Sequence, residues 1–137
     1  MTRQVWLTVL VSIVVGAWAM ADPIEGTWLK TDGEATIELK VVKGKLQGTL
    51  VDWAAKERTI DDRNPDPKLR KRPLKGMVMV EGFSKKGAKW EGGTVYDSNK
   101  GKTYQGKIWM EGQNKLMMRG FIGISLIGRS AEWKRLK

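Results

Sequence analysis

Ala35-Thr36-Ile37-Glu38-Leu39-Lys40-Val41 alternates apolar with polar side chains at every step. A period of two turns one face to a core and the other to water, so this stretch reads as a half-buried β-strand. Lys43-Gly44 then reverses the chain, and Leu46 to Trp53 is its antiparallel partner, with an alternation that slips near Leu50-Val51, where a bulge is expected. Upstream, Trp28 lies in a strand from Gly26 to Lys30 that ends at the Asp32-Gly33 turn.

Further along, Met77-Val78-Met79-Val80 is apolar on both faces, which suits a covered strand or a contact surface. Trp90, Gly92, Thr94 and Tyr96 share one side of the next strand. Tyr104, Gly106, Ile108 and Met110 share a face, as do Leu116, Met118, Gly120 and Ile122. The last strand, Gly128 to Arg135, places Arg129, Ala131, Trp133 and Arg135 together. The predicted inward set is Trp28, Ile37, Leu39, Trp90, Tyr96, Tyr104, Ile108, Leu116, Met118 and Trp133. Glycines inside several strands, such as Gly48, Gly93 and Gly106, allow strong curvature or close approach. Eight short antiparallel strands with tight turns predict an all-β, up-and-down barrel, which leaves no free edge. A barrel of that size is either filled by side chains or holds one small ligand.

The longest break in strand periodicity is Asp61 to Gly76, between the third and fourth strands. Connections of that length inside compact domains are usually functional or disordered, and this one carries too many turn-fixing residues to be slack. Asn64 as cap, Pro65 at the first helical position and Asp66 at the positive end of the dipole predict a short helix from Pro65 to Lys71, with Leu69 as apolar anchor. Asn64 to Gly76 is expected to form a flap over one end of the barrel, pinned by Leu69 and by pairs among Asp61, Asp62, Asp66, Arg70 and Arg72.

The 137 residues suit one domain. Arg3, the apolar run from Val5 to Val15 and the small residues of Ala19-Met20-Ala21 make residues 1–21 a signal peptide, cleaved before Asp22. The apolar stretch falls short of the roughly 20 residues of a membrane span. Residues 22–137 are then a single exported barrel domain, periplasmic or secreted, with no membrane span after cleavage. The formal net charge of +10 falls by one with Arg3. In the cytosol that surplus would suggest nucleic acid, but an exported protein meets anionic lipids and envelope polymers instead. With neither His nor Cys in the chain, histidine-based nucleophilic catalysis, thiol chemistry and disulfides are excluded. No cofactor, metal site or catalytic residue is expected, the acids Asp61, Asp62 and Asp66 reading as turn-formers and partners of nearby arginines.

Three motifs carry a resemblance to a known family. They are Asn64-Pro65-Asp66-Pro67 running on to Gly76; Trp90-Glu91-Gly92-Gly93-Thr94-Val95-Tyr96-Asp97 with Gly101-Lys102-Thr103-Tyr104; and Arg119-Gly120-Phe121-Ile122-Gly123 with Ser125-Leu126 and Gly128-Arg129. With Asp22-Pro23-Ile24-Glu25-Gly26-Thr27-Trp28, they resemble the bacterial exported family of domain of unknown function 2147. The resemblance implies a lipocalin-like barrel, and Gly26-x-Trp28 is similar to the first-strand motif of lipocalins. It implies no activity. Many members of the family carry cysteines around the second and third strands and after the tyrosine that matches Tyr104; Val42, Gln47 and Gln105 stand in that neighbourhood here, so a thiol role is absent from this chain.

Candidate ligand contacts are Arg70, Arg72, Trp90, Tyr96, Tyr104 and Arg129; Trp28, Asn64, Pro65, Asp66, Leu69 and Trp133 read as structural. Arg129 admits two readings, an anchor in the lumen for a carboxylate or phosphate or a structural arginine stacked on Trp28. The resemblance to lipocalins, where a last-strand arginine packs over the first-strand tryptophan, favours the second, with Arg135 as the other candidate. Two functions follow: a carrier of a small amphipathic or anionic ligand, or an envelope interaction protein with a filled barrel that binds an anionic polymer or a partner protein through its basic connection.

Overall fold

A computed structural model describes residues 21–137. The expected signal peptide over residues 1–21 lies, but for its last residue, outside them. The strands are β1 (Gly26–Lys30), β2 (Ala35–Val42), β3 (Lys45–Trp53), β4 (Val78–Lys86), β5 (Lys89–Asp97), β6 (Lys102–Met110), β7 (Lys115–Phe121) and β8 (Gly128–Arg135). Each pairs antiparallel with its neighbour in sequence, and β8 returns to β1 to close the barrel. Up-and-down order puts the β1–β2, β3–β4, β5–β6 and β7–β8 connections at one end, called here the open end.

Bulges set the inward faces. Thr36 pairs with Asp52 while Ile37 pairs with Leu50, so Val51 is the extra residue of the bulge expected in β3. The β3–β4 register also shifts, between Leu46 and Gly48 and between Gly48 and Thr49. Another bulge lies in β5, where the register shifts between Glu91 and Thr94 and Gly92 takes φ +83°. It reverses the alternation. Val95 pairs with Tyr104 on the inner face, and Tyr96 stands on the outer face opposite Thr103. The inward assignment of Tyr96 is therefore corrected, its burial having another cause described below. The seventh strand ends at Phe121, so Ile122, which the alternation puts on one face with Leu116 and Met118, lies beyond the strand and is 64% exposed.

The half of the barrel away from the open end is solid. Trp28, Ile37, Leu39, Leu46, Val80, Phe83, Ile108 and Leu116 are buried there. Phe83 fills the centre because glycines face it: a Cβ on Gly106 would stand 2.8 Å from its Cζ, and one on Gly93 would overlap its ring. The segment before β1 plugs this end. Ile24 is 1% exposed, and its carbonyl accepts the Trp28 indole N–H at 2.9 Å.

The long connection is ordered but differs from the expectation. Its helix is a single 3₁₀ turn, Pro67–Leu69, capped by Asp66, whose carboxylate accepts from the Lys68 N–H, with Pro67 rather than Pro65 in the first turn. Asn64 instead closes an Asx turn, its side-chain oxygen accepting from the Asp66 N–H. Leu69 is 38% exposed and anchors nothing; Leu74, at 1%, does. With two prolines and an aspartate that bonds its own turn, the segment satisfies its backbone locally and does not propagate a helix. The rest folds back on itself, Ile60 bridging Pro73.

Candidate functional site

The open half of the barrel is hollow. The cavity and its mouth together enclose about 1190 Å³. Apolar side chains from successive strands line it, among them Leu50, Met79, Val95, Tyr104, Met118 and Trp133, and Leu74 of the connection forms part of its wall. The mouth is charged: Lys30, Arg58, Lys100 and Arg129 face Asp32, Glu34, Asp97 and Glu132. Most of these acids are already engaged. Lys30 pairs with Asp32 at 3.1 Å and Glu34 at 3.3 Å, and Glu132 pairs with Lys115 at 2.9 Å. Burial of the Lys30 ammonium, which pushes its pKa down, is outweighed by those two carboxylates, so it lies above its ordinary value.

Arg129 differs from these. It pairs in register with Gly120 and so shares the inner face with Ala131 and Trp133. Among the described residues it makes no ion pair, side-chain hydrogen bond or aromatic stack. The stacking role expected of it falls to Arg135, whose guanidinium carbon lies 4.3 Å from the centre of the Trp28 ring. Arg135 also donates to the carbonyls of Gln113 (2.8 Å), Glu25 (2.9 Å) and Pro23. Trp28 is at the plugged end and Arg129 at the open end, so strand geometry alone forbids the other pairing.

The remaining expected contacts divide. Tyr104 is half-buried on the inner face of the cavity. Trp90 is in the solid half, with the Lys85 ammonium 5.8 Å from its ring centre, and does not touch the cavity. Arg70 is exposed and donates to the Asn64 carbonyl at 2.8 Å. Arg72 and Tyr96 belong to a latch that holds the connection to the outside of β5, and of the two Tyr96 also borders the cavity and its mouth. Its centre is Asp61, fully buried, which accepts from Tyr96 Oη (2.7 Å), Asn64 Nδ2 (2.8 Å) and Arg72 Nε (2.9 Å). The Arg72 guanidinium lies 5.4 Å from the Tyr96 ring centre. Burial, then the hydrogen bond to Asp61, pushes the Tyr96 hydroxyl up to about 12.

Two features of the site escaped the sequence. Arg58 fastens the connection to the β5–β6 turn by donating to Asp62 (2.8 Å), Asn99 Oδ1 (2.9 Å) and the Ser98 carbonyl (3.1 Å). Its only sequence signal was an i,i+4 spacing from Asp62, unremarkable outside a helix. The other is Trp133, which lines the cavity and whose buried indole N–H has no hydrogen-bond partner. A tryptophan on an inward face reads as core until its neighbours are known.

Comparison with known proteins agrees with this architecture. In structure the chain is similar to HP1028 from the human pathogen Helicobacter pylori, described as belonging to the lipocalin family, with a TM-score of 0.74, 24% sequence identity and 82% of each chain covered. That likeness shows a lipocalin-like fold. No curated protein matches the chain. The family model for "Uncharacterized protein conserved in bacteria (DUF2147)" matches residues 26–135, nearly the whole barrel, and the chain belongs to that bacterial family.

Proposed function

We propose that this protein is an exported, non-enzymatic binding protein of the bacterial envelope that holds one small amphipathic anion. The observation that carries the reading is the hollow open half of the barrel with the unpaired Arg129 on its inner face. Pockets that bind small molecules are concave, mainly apolar and furnished with a few polar groups, and their volumes run to about 1000 Å³. Here the apolar body of the ligand lies among Leu50, Val95, Met118 and Trp133 while its carboxylate or phosphate pairs with Arg129. Trp133 adds support. A buried donor without an acceptor costs about 1–3 kcal/mol, and a ligand oxygen at the cavity wall would supply one.

The other expected reading, a filled barrel working only through its basic connection, is disfavoured by the hollow half. The acids that might have served catalysis are otherwise occupied: Asp61 holds the latch, Asp62 pairs with Arg58 and Asp66 caps the 3₁₀ turn. Export rests on Arg3, the Val5–Val15 run and Ala19-Met20-Ala21. Cell fractionation should find the processed chain outside the cytoplasm, and a full-length chain in the inner membrane would overturn that part.

Binding is tested with cis-parinaric acid and its uncharged methyl ester. The acid should bind saturably at one site per chain, the ester about tenfold more weakly, and Arg129→Ala should abolish the difference. Absence of saturable binding to either would refute the reading. Native mass spectrometry of protein purified from its own host then identifies the retained ligand.

A further inference from the structure

The β7–β8 loop, residues 122–127, exposes Ile122 (64%), Ile124 (58%), Leu126 (87%) and Ile127 (71%) at the mouth of the cavity. Four large aliphatic side chains in six residues are more than the scattered exposure usual on a soluble surface. The loop is held in this presentation. Arg119 of β7 donates to the carbonyls of Ser125 (2.8 Å) and Leu126 (3.4 Å) and to Ser130 Oγ (3.2 Å), and the Ile127 N–H closes a turn on the Ile124 carbonyl (3.2 Å). These bonds fix the carbonyls of Ile124, Ser125 and Leu126, while the side chains of Ile124 and Leu126 stay exposed.

Positive charge is in excess at the same end, although Asp97, Asp66 and Glu57 also lie there without an ion pair among the described residues. Lys68, Lys71 and Lys75 of the β3–β4 connection, Lys100 and Lys102 at the β5–β6 turn and Arg129 form no ion pair among the described residues, and up-and-down topology brings all three connections to the open end. Aliphatic side chains that reach past a basic rim are the composition that seats a protein in the interface of an anionic bilayer. We propose that residues 122–127 insert into the headgroup region of an anionic lipid membrane, with the basic rim on its phosphates and the cavity mouth facing the bilayer. Ile122 and Ile127 also border the cavity mouth, whereas Ile124 and Leu126 stand clear of it, so those two separate the membrane surface from what the cavity contains.

Flotation with vesicles tests it, using phosphatidylethanolamine containing roughly a quarter phosphatidylglycerol, against pure phosphatidylcholine. The variant is Ile124→Ser with Leu126→Ser, neither of which lines the cavity, so its melting temperature and parinaric acid binding should match wild type. Wild type should float with the anionic vesicles, release as salt rises and bind phosphatidylcholine weakly; the variant should bind the anionic vesicles about tenfold or more weakly. Equal flotation of variant and wild type, or none by wild type, overturns the proposal. So does a wild type that self-associates through the loop, seen as a dimer in sedimentation that the variant loses, without binding vesicles.

Discussion

Arg129 and Arg135 occupy the same face of one strand and do opposite work, because strand position puts one at the mouth and the other under the plug. Replacing Arg135 by Ala removes the stack on Trp28 and hydrogen bonds to the carbonyls of Gln113, Glu25 and Pro23. Chemical denaturation should report a loss of about 2 kcal/mol. Arg129→Ala, by contrast, should leave the denaturation midpoint unchanged and weaken only binding of the anionic probe. A third residue effect concerns Phe83. Gly106→Val places side-chain atoms where a Cβ alone would already stand 2.8 Å from the Phe83 Cζ, a conflict expected to cost about 1–3 kcal/mol. Phe83→Leu in the same chain should recover part of that loss, and a double-mutant cycle without coupling would show that the two side chains do not compete for space.

At the scale of elements, the connection is attached to the barrel by one buried carboxylate. Arg72→Ala leaves Asp61 without its countercharge and should destabilise the fold by about 3 kcal/mol, whereas Arg70→Ala loses one part-buried hydrogen bond to the Asn64 carbonyl and should cost about 1 kcal/mol. Equal effects of the two would deny Asp61 its central place. The latch also predicts an alkaline limit. The Tyr96 hydroxyl, ordinarily near 10.0, is pushed up to about 12 in the fold, first by burial and then by Asp61, so its stabilising contribution is complete below pH 10.0 and is lost as pH rises toward 12. Over that window wild type should lose on the order of 2 kcal/mol more than Tyr96→Phe, which has no proton to release. Parallel denaturation midpoints for the two proteins across the window would contradict it.

For the whole molecule, closure is the weakest ladder. β1 and β8 share the register pairs Trp28 with Arg135, Leu29 with Lys134 and Lys30 with Trp133, while β2 and β3 stay paired from Ala35–Trp53 to Val42–Lys45. Native-state hydrogen exchange should therefore open β1 and β8 before β2 and β3. A ligand lodged against Arg129 and Trp133 would slow exchange in β8 and around Leu74, where the cavity wall lies, and leave the solid half unchanged. Uniform protection on adding the probe would place it elsewhere.

How far the sequence carried follows from the range of the forces involved. Alternation in β2, the turns and the segment Asp61 to Gly76 are local properties, and with them came the all-β class, the barrel, the bulge at Val51 and the inward positions of most core residues. The resemblance in the three motifs agreed with the family that the chain matches. What depended on packing across the barrel was not legible. A glycine bulge at Gly92 carried Tyr96 to the outer face, where the connection buries it. Leu69 and Leu74 look alike in sequence, yet only Leu74 reaches the cavity wall, because the folded-back connection decides which side chain meets the barrel. The pairing of Trp28 with Arg135 in place of Arg129, the isolation of Arg129 at the mouth and the division of the lumen into a solid and a hollow half are tertiary results. Periodicity fixes which face a side chain takes along a strand, but its height in the barrel, and so its neighbours, is set by register between strands far apart in sequence.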